Sequence, residues 1–237
     1  MKNRYFGDIH DYVKYSLLRH LGGIDGTTTA VCWMLTKDGG ESGGQRTGYL
    51  WKPEKWGSFE PPLFDFLRNQ VLVRETRNVK AIEKSDILPN CRFYSRILTD
   101  DSVQRRRYFD RFLEFARGAG FVFFDPDNGV EISSVRYGGK NSSKYIYWNE
   151  IGLAIRANHA LLIYQHLPWQ PRGPFVNRLA HRLLRFCRGS SVFSIRTGHV
   201  AFFVVPPRRG IGRFRANILD FGRTWEGMLT VSEHRRD

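Results

Sequence analysis

Residues 120–129 read Gly-Phe-Val-Phe-Phe-Asp-Pro-Asp-Asn-Gly, an uninterrupted apolar run that passes directly into two carboxylates, an amide and a glycine. A strand that is apolar at every position is covered on both faces, which puts it inside a parallel sheet flanked by helices. Whatever follows its carboxyl end enters the crevice where open α/β sheets bind ligands. Asp125, Asp127 and Asn128 are therefore the first candidates for chemistry. The same polar residues also satisfy the rules for a plain tight turn, and polar clusters at other strand ends are what favour a site.

Helix and strand patterns alternate on either side of this run, as in a mostly parallel sheet with helices on both faces. The spacing predicts a helix over 8–21, with Val13, Leu17, Leu18 and Leu21 on its apolar side and Gly22-Gly23 ending it. A strand follows at 28–35, then a glycine-rich loop at 37–45 and a short helix at 61–68 opened by Pro61-Pro62. Strands are expected at 71–75 and 92–97, a long helix at 101–117, the central strand at 121–125 and a helix at 148–158. Strands at 160–165 and 200–205 flank a basic helix, with 192–195 as hairpin partner of the latter. The expectation is a single α/β domain over residues 1–237 with a doubly wound, Rossmann-like sheet and a basic C-terminal segment at 206–237. At 237 residues and 41% hydrophobic content, the chain is long enough to bury a full core.

The formal net charge is +14, from 37 Lys plus Arg against 23 Asp plus Glu, and such an excess points to a polyanionic partner. Nucleic acid is the expected partner, RNA before DNA. Candidate contacts are Arg208, Arg209, Arg213 and Arg215, which surround Phe214 in a basic loop suited to phosphates and unstacked bases. Lys140 and Lys144 lie beside Tyr145, Tyr147 and Trp148 and suit the same task. Arg105-Arg106-Arg107 forms a further cluster. Arg178, Arg182 and Arg185 stand opposite Leu179, Leu183 and Leu184, as the solvated face of an amphipathic helix would. No stretch reaches the roughly 18 apolar residues that cross a bilayer, and the first residues lack a secretory signal, so the expected location is the cytoplasm. Cys32, Cys91 and Cys187 are widely separated, as expected of reduced packing residues.

Other strand ends add candidates. Asp38, Gly39, Gly40 and Gly43 follow the first strand, where cofactors meet backbone amides. Asp38 and Glu41 would repel a pyrophosphate there but tolerate a cationic cofactor or a metal. Glu75, at the end of the second expected strand, is placed to accept from ribose hydroxyls, or to pair with Arg74 or Arg77. Asp8, Asp11 and Lys14 recur at intervals of three along one helix edge, with Asp8 as a possible N-cap. His166 ends a strand and His199 begins one, and either suits proton transfer near neutral pH.

The segments Gly7-Asp8-Ile9-His10-Asp11-Tyr12-Val13-Lys14-Tyr15, Arg46-Thr47-Gly48-Tyr49-Leu50 and Asp125-Pro126-Asp127-Asn128, in this order, resemble the bacterial large-subunit ribosomal RNA adenine-N6 methyltransferases over about residues 7–170. The chain is also similar to uncharacterised bacterial proteins with Trp-Met-Leu-Thr and Phe-Asp-Pro-Asp-Asn-Gly segments. The resemblance implies a methyltransferase-type sheet, S-adenosylmethionine in the loop at 37–44 with Glu75 on its ribose, and Asp125 on the acceptor amine. In that family an Asp-Pro-Pro-Tyr motif holds the flipped base, its Tyr stacking on the ring. Here Asp127 and Asn128 replace the second Pro and the Tyr, so the stacking ring is absent. Two alternatives stay open: a nuclease or phosphodiesterase in which Asp38, Asp125 and Asp127 bind Mg²⁺ or Mn²⁺ with Lys144 or His166 assisting, and a catalytically silent nucleic-acid-binding protein.

Overall fold

The computed structural model describes residues 1–37, 46–187, 191–207 and 210–236. Its strands are β1 (Thr29–Cys32), β2 (Cys91–Tyr94), β3 (Phe121–Phe124), β4 (Gly129–Val130), β5 (Tyr145–Ile146), β6 (Ala160–His166), β7 (Ser191–Arg196), β8 (Val200–Val205) and β9 (Thr230–Arg235). The helices are α1 (Ile9–Leu21), α2 (Pro53–Trp56), α3 (Pro61–Arg68), α4 (Lys80–Glu83), α5 (Ser102–Phe115), α6 (Trp148–Arg156), α7 (Arg172–Cys187) and α8 (Ile211–Thr224). Seven strands form one sheet in the order β2-β1-β3-β6-β8-β7-β9, while β4 and β5 pair separately.

The uniform apolarity of β3 has the consequence expected of it. Phe121 and Phe123 join the core shared with α1, α3 and α8, and Val122 and Phe124 join the core shared with α5, α6 and α7. Side chains alternate across a strand, so a strand buried on both faces must be apolar throughout. β8 follows the same rule throughout, and β6 follows it up to Tyr164, before Gln165 and His166 reach the carboxyl edge. Asp8 caps α1 by accepting from the His10 backbone N–H at 3.0 Å, and Asp101 caps α5 by accepting from Gln104 at 2.8 Å.

Three features differ from expectation. The sheet is mixed: β2, β1, β3 and β6 are mutually parallel, but β8 runs against both β6 and β7, and β9 runs against β7. The β7–β8 hairpin, closed by residues 197–199, is the expected one; the departures are that β8 lies antiparallel to β6 and that β9 adds a further antiparallel strand at the edge. No strand forms at 71–75. There α3 continues into a π-helical turn at Asn69–Val73, because Val71 and Leu72 extend the apolar stripe of Leu63, Phe64 and Leu67 onto the same core. Finally, within the basic segment 206–237, Ile211–Thr224 forms α8 and Thr230–Arg235 forms β9. Phe214, read as a stacking ring among arginines, is buried against Phe121 with ring centroids 5.7 Å apart.

Candidate active site

In the strand order β2-β1-β3-β6 the chain turns to one side after β1 and to the other after β3, so the carboxyl ends of these two strands flank the topological switch point. A cavity of about 480 Å³ lies there. The loop after β3 supplies Asp125, Asp127 and Asn128, β6 supplies Tyr164 and His166, and α1 with its cap supplies Asp8, His10, Asp11 and Lys14. The expected residues Asp125, Asp127, Asn128, Lys14 and His166 thus meet in one place. α1 runs antiparallel to the strands, which brings its first turns to this edge and makes the three-residue spacing of Asp8, Asp11 and Lys14 a wall of the site.

Lys14 is the hub of a buried charge network. Its Nζ lies 2.7 Å from Asp11 Oδ1 and 2.8 Å from Asp125 Oδ2. Asp11 Oδ2 accepts in addition from the Gly7 backbone N–H at 3.1 Å and from the Tyr15 hydroxyl at 3.2 Å. The Tyr164 ring covers the ammonium with its centroid 5.5 Å away. Burial alone would lower the pKa of Lys14, but the two carboxylates raise it above the ordinary lysine value, so the side chain is held charged. Burial pushes the carboxyls of Asp125 and Asp11 up against the pull of that ammonium. Asp125 Oδ1 makes no hydrogen bond among the described residues, in contrast to Oδ2.

Asp127 is engaged differently: Oδ1 lies 2.6 Å from the Met1 ammonium and Oδ2 accepts from the Thr36 hydroxyl at 3.1 Å. The alternative metal set is therefore altered, since Asp125 and Asp127 each already face an ammonium group. Among the described residues no three His, Cys, Asp or Glu side chains converge as a metal centre, and Asp38 lies outside them. Three histidines sit near the cavity, and all have lowered pKa values. His10 falls to about 3, through burial first and then the charges of Arg46 and Lys14. Burial and Arg46 also lower His166 and His199, so these rings are neutral at physiological pH.

Gln165 fixes the loop after β3. Its Oε1 accepts from the Val130 backbone N–H at 2.9 Å, and its Nε2 donates to the Asn128 carbonyl at 3.0 Å. Gly129 passes this carboxamide at φ +120°, where a Cβ would stand 2.3 Å from Gln165 Oε1. Gly129→Ala should therefore cost about 1–3 kcal/mol in chemical denaturation, through backbone strain and loss of these bonds.

Several expected residues lie elsewhere. Glu75 is exposed, at φ +50° in the turn after the π-helical segment, and does not line the cavity; the assumed strand end does not exist. Arg215 is ion-paired with Glu233 at 2.6 Å, and Arg213 is exposed on α8. Both are at the opposite edge of the sheet, because β8 runs against β6 and ends opposite Leu161. Lys140 is exposed and Lys144 half-buried, and the Lys144 carbonyl accepts from the Asn128 N–H at 2.9 Å. Asp38, Gly39, Gly40, Gly43, Arg208 and Arg209 lie outside the described residues. Arg46 was not foreseen as a site residue: its backbone N–H donates to Asp8 Oδ2 at 3.0 Å, closing the loop after β1 onto the α1 cap. Its place in the Arg-Thr-Gly-Tyr-Leu segment was the available signal.

No family model matches the chain. No curated protein matches it. Among solved structures it is similar to a crystal structure of a Legionella pneumophila protein of the DUF519 family, with 11% identity and a TM-score of 0.46 over 97% of each chain. No helix among the described residues is long and apolar enough to cross a membrane.

Proposed function

We propose that the protein is a cytoplasmic S-adenosylmethionine-dependent methyltransferase acting on nucleic acid, RNA in the first instance, on a doubly wound Rossmann-like sheet. The observation that supports this is the convergence of Asp125, Asn128, Lys14 and His166 in one cavity at the switch point between β1 and β3. Helices on both faces of the sheet support the finer fold assignment.

A cavity of about 480 Å³ is within the range of small-molecule sites, and its walls carry more carboxylates than cations, which suits a sulfonium ion. Asp8 and Asp127, together with the loop after β1, would hold the cofactor, which when bound supplies an electrophilic methyl group. Glu75 has no part in this, being outside the cavity. Asp125 turns one oxygen to Lys14 and keeps Oδ1 for a hydrogen bond from the acceptor amine. Lys14 orients that carboxylate, and its raised pKa keeps it charged while it does so. Asn128 offers a carboxamide at the cavity mouth in place of a stacking ring.

Calorimetry tests the cofactor, and methyl transfer to RNA tests the chemistry. The wild-type protein should bind S-adenosylmethionine, and Asp125→Asn should retain that binding while transfer drops by roughly a hundredfold or more, the loss usual for a positioned proton-handling carboxylate. A folded protein that binds RNA but no S-adenosylmethionine would leave a binding-only role.

A further inference from the structure

A second, larger hollow of about 920 Å³ opens beside the cavity, between α7 and the loop after β3. It shares Asn128 and His166 with the cavity, so the two adjoin at these residues. Resting on the methyltransferase proposal, we infer that this groove receives an unpaired RNA strand and leads one of its bases toward Asp125.

Charge complementarity is the first argument. Arg178, Arg182 and Arg185 line the groove, all are exposed, and none forms an ion pair with a carboxylate among the described residues. The amphipathic pattern of α7 accounts for their exposure but not for their gathering along a concave wall. Stacking surface is the second. Tyr145 and Phe175, both half-buried, line the same groove, and the Arg182 guanidinium lies 4.3 Å from the ring centroid of Trp148, which is itself buried. The Trp148 indole N–H is buried without a hydrogen-bond partner among the described residues. A wall of aromatic faces interleaved with arginines is how proteins hold single strands, since every base has a face to stack and every nucleotide a phosphate.

The third argument is Trp169. It is wholly exposed at 105% of its reference area, on the loop between β6 and α7, and its chain neighbours Pro168 and Gln170 both line the groove. A fully solvated indole is unfavourable in a free protein. Beside a basic groove it supplies a stacking platform at the groove's rim. Glu131 and Asn177 in the groove add acceptors for 2′-hydroxyls, which favours RNA over DNA. A duplex keeps its bases stacked inside and has no faces to offer these rings.

Fluorescence anisotropy with a short fluorescein-labelled RNA of mixed, non-self-complementary sequence tests the assignment. Trp169→Ala should weaken binding roughly tenfold without altering the salt slope, and Trp169→Phe should keep most of the affinity. Arg178→Gln, Arg182→Gln and Arg185→Gln together should lower the log–log salt slope by about 2, whereas Arg106→Gln with Arg107→Gln on α5 should leave it unchanged. Thermal melts confirm folding, and the substituted side chains are all exposed. The assignment is overturned if neither set changes binding, if the α5 control falls as far, or if a hairpin duplex or the equivalent DNA binds more tightly. S-adenosylmethionine binding is measured in parallel. Its presence with unaffected strand binding removes the groove and spares the methyltransferase proposal; its absence with groove-dependent strand binding does the reverse.

Discussion

Lys14→Met should destabilise the protein by about 3–5 kcal/mol, the usual cost of stripping the partner from buried charges. The ammonium it removes bridges Asp11 at 2.7 Å and Asp125 at 2.8 Å, and all three side chains are almost fully buried. In the wild type, the folded pKa of Lys14 is raised, so its contribution is fully present below the ordinary lysine value of about 10.4 and is lost only as pH climbs through the folded value. The two carboxyls are also raised by burial, so stability present below their ordinary value of about 3.9 is lost as pH rises through their folded values. Lys14 opposes that loss, and without it the folded carboxyl pKa values must rise further. Urea denaturation at about pH 5 and about pH 8 should therefore show a steeper alkaline loss in Lys14→Met than in the wild type. Adding Asp11→Asn should recover part of the difference. A single-variant loss below about 1 kcal/mol, the ceiling for exposed pairs, would contradict the buried network.

Arg105→Ala should cost a similar amount, about 3–5 kcal/mol, for a different purpose in the fold. Although it stands first in an Arg-Arg-Arg run, Arg105 is fully buried and holds the segment that leads from β4 into β5. Its guanidinium meets Glu150 at 2.6 Å and 2.8 Å, the Ser142 carbonyl at 2.8 Å and the Tyr145 carbonyl at 2.6 Å, with the Tyr147 ring centroid 4.8 Å away. Truncation leaves the buried Glu150 carboxylate, among the described residues, with only the Tyr147 backbone N–H, at 2.9 Å, and takes a donor from the Ser142 and Tyr145 carbonyls. Arg105→Lys should not rescue, because an ammonium cannot reproduce the planar fork. Replacing both partners together, Arg105→Met with Glu150→Leu, should cost less than Arg105→Ala alone. Arg106→Ala and Arg107→Ala, at exposed positions, should stay within about 0.5 kcal/mol in the same denaturation series.

These two arginine and lysine hubs mark where sequence reasoning stopped. The alternation of strand and helix, the double burial of β3, the Asp8 cap of α1 and the position of Asp125 at a strand end were all legible, because each follows from local periodicity or a short-range cap. So was the gathering of the polar edge of α1, through its spacing of three. Glu75 was misplaced because Val71 to Val73 suit a strand as well as the end of an apolar helical stripe, and only packing against the core chose between them. The 206–215 segment was misread for a related reason: Phe214 is a stacking ring or a core residue according to what lies opposite, and Phe121 is far away in the chain.

The sequence by itself determined the class of layers, the strand whose end carries the candidate site and the net charge of +14. Strand order, the reversed β8 and the partners of each charge were decided by the tertiary structure. Lys14 finds Asp125 across 111 residues and Arg105 finds Glu150 across 45, and no local pattern encodes such pairs. A lysine or arginine becomes a structural hub or a ligand contact according to whether a carboxylate is buried beside it, and that depends on how distant segments pack.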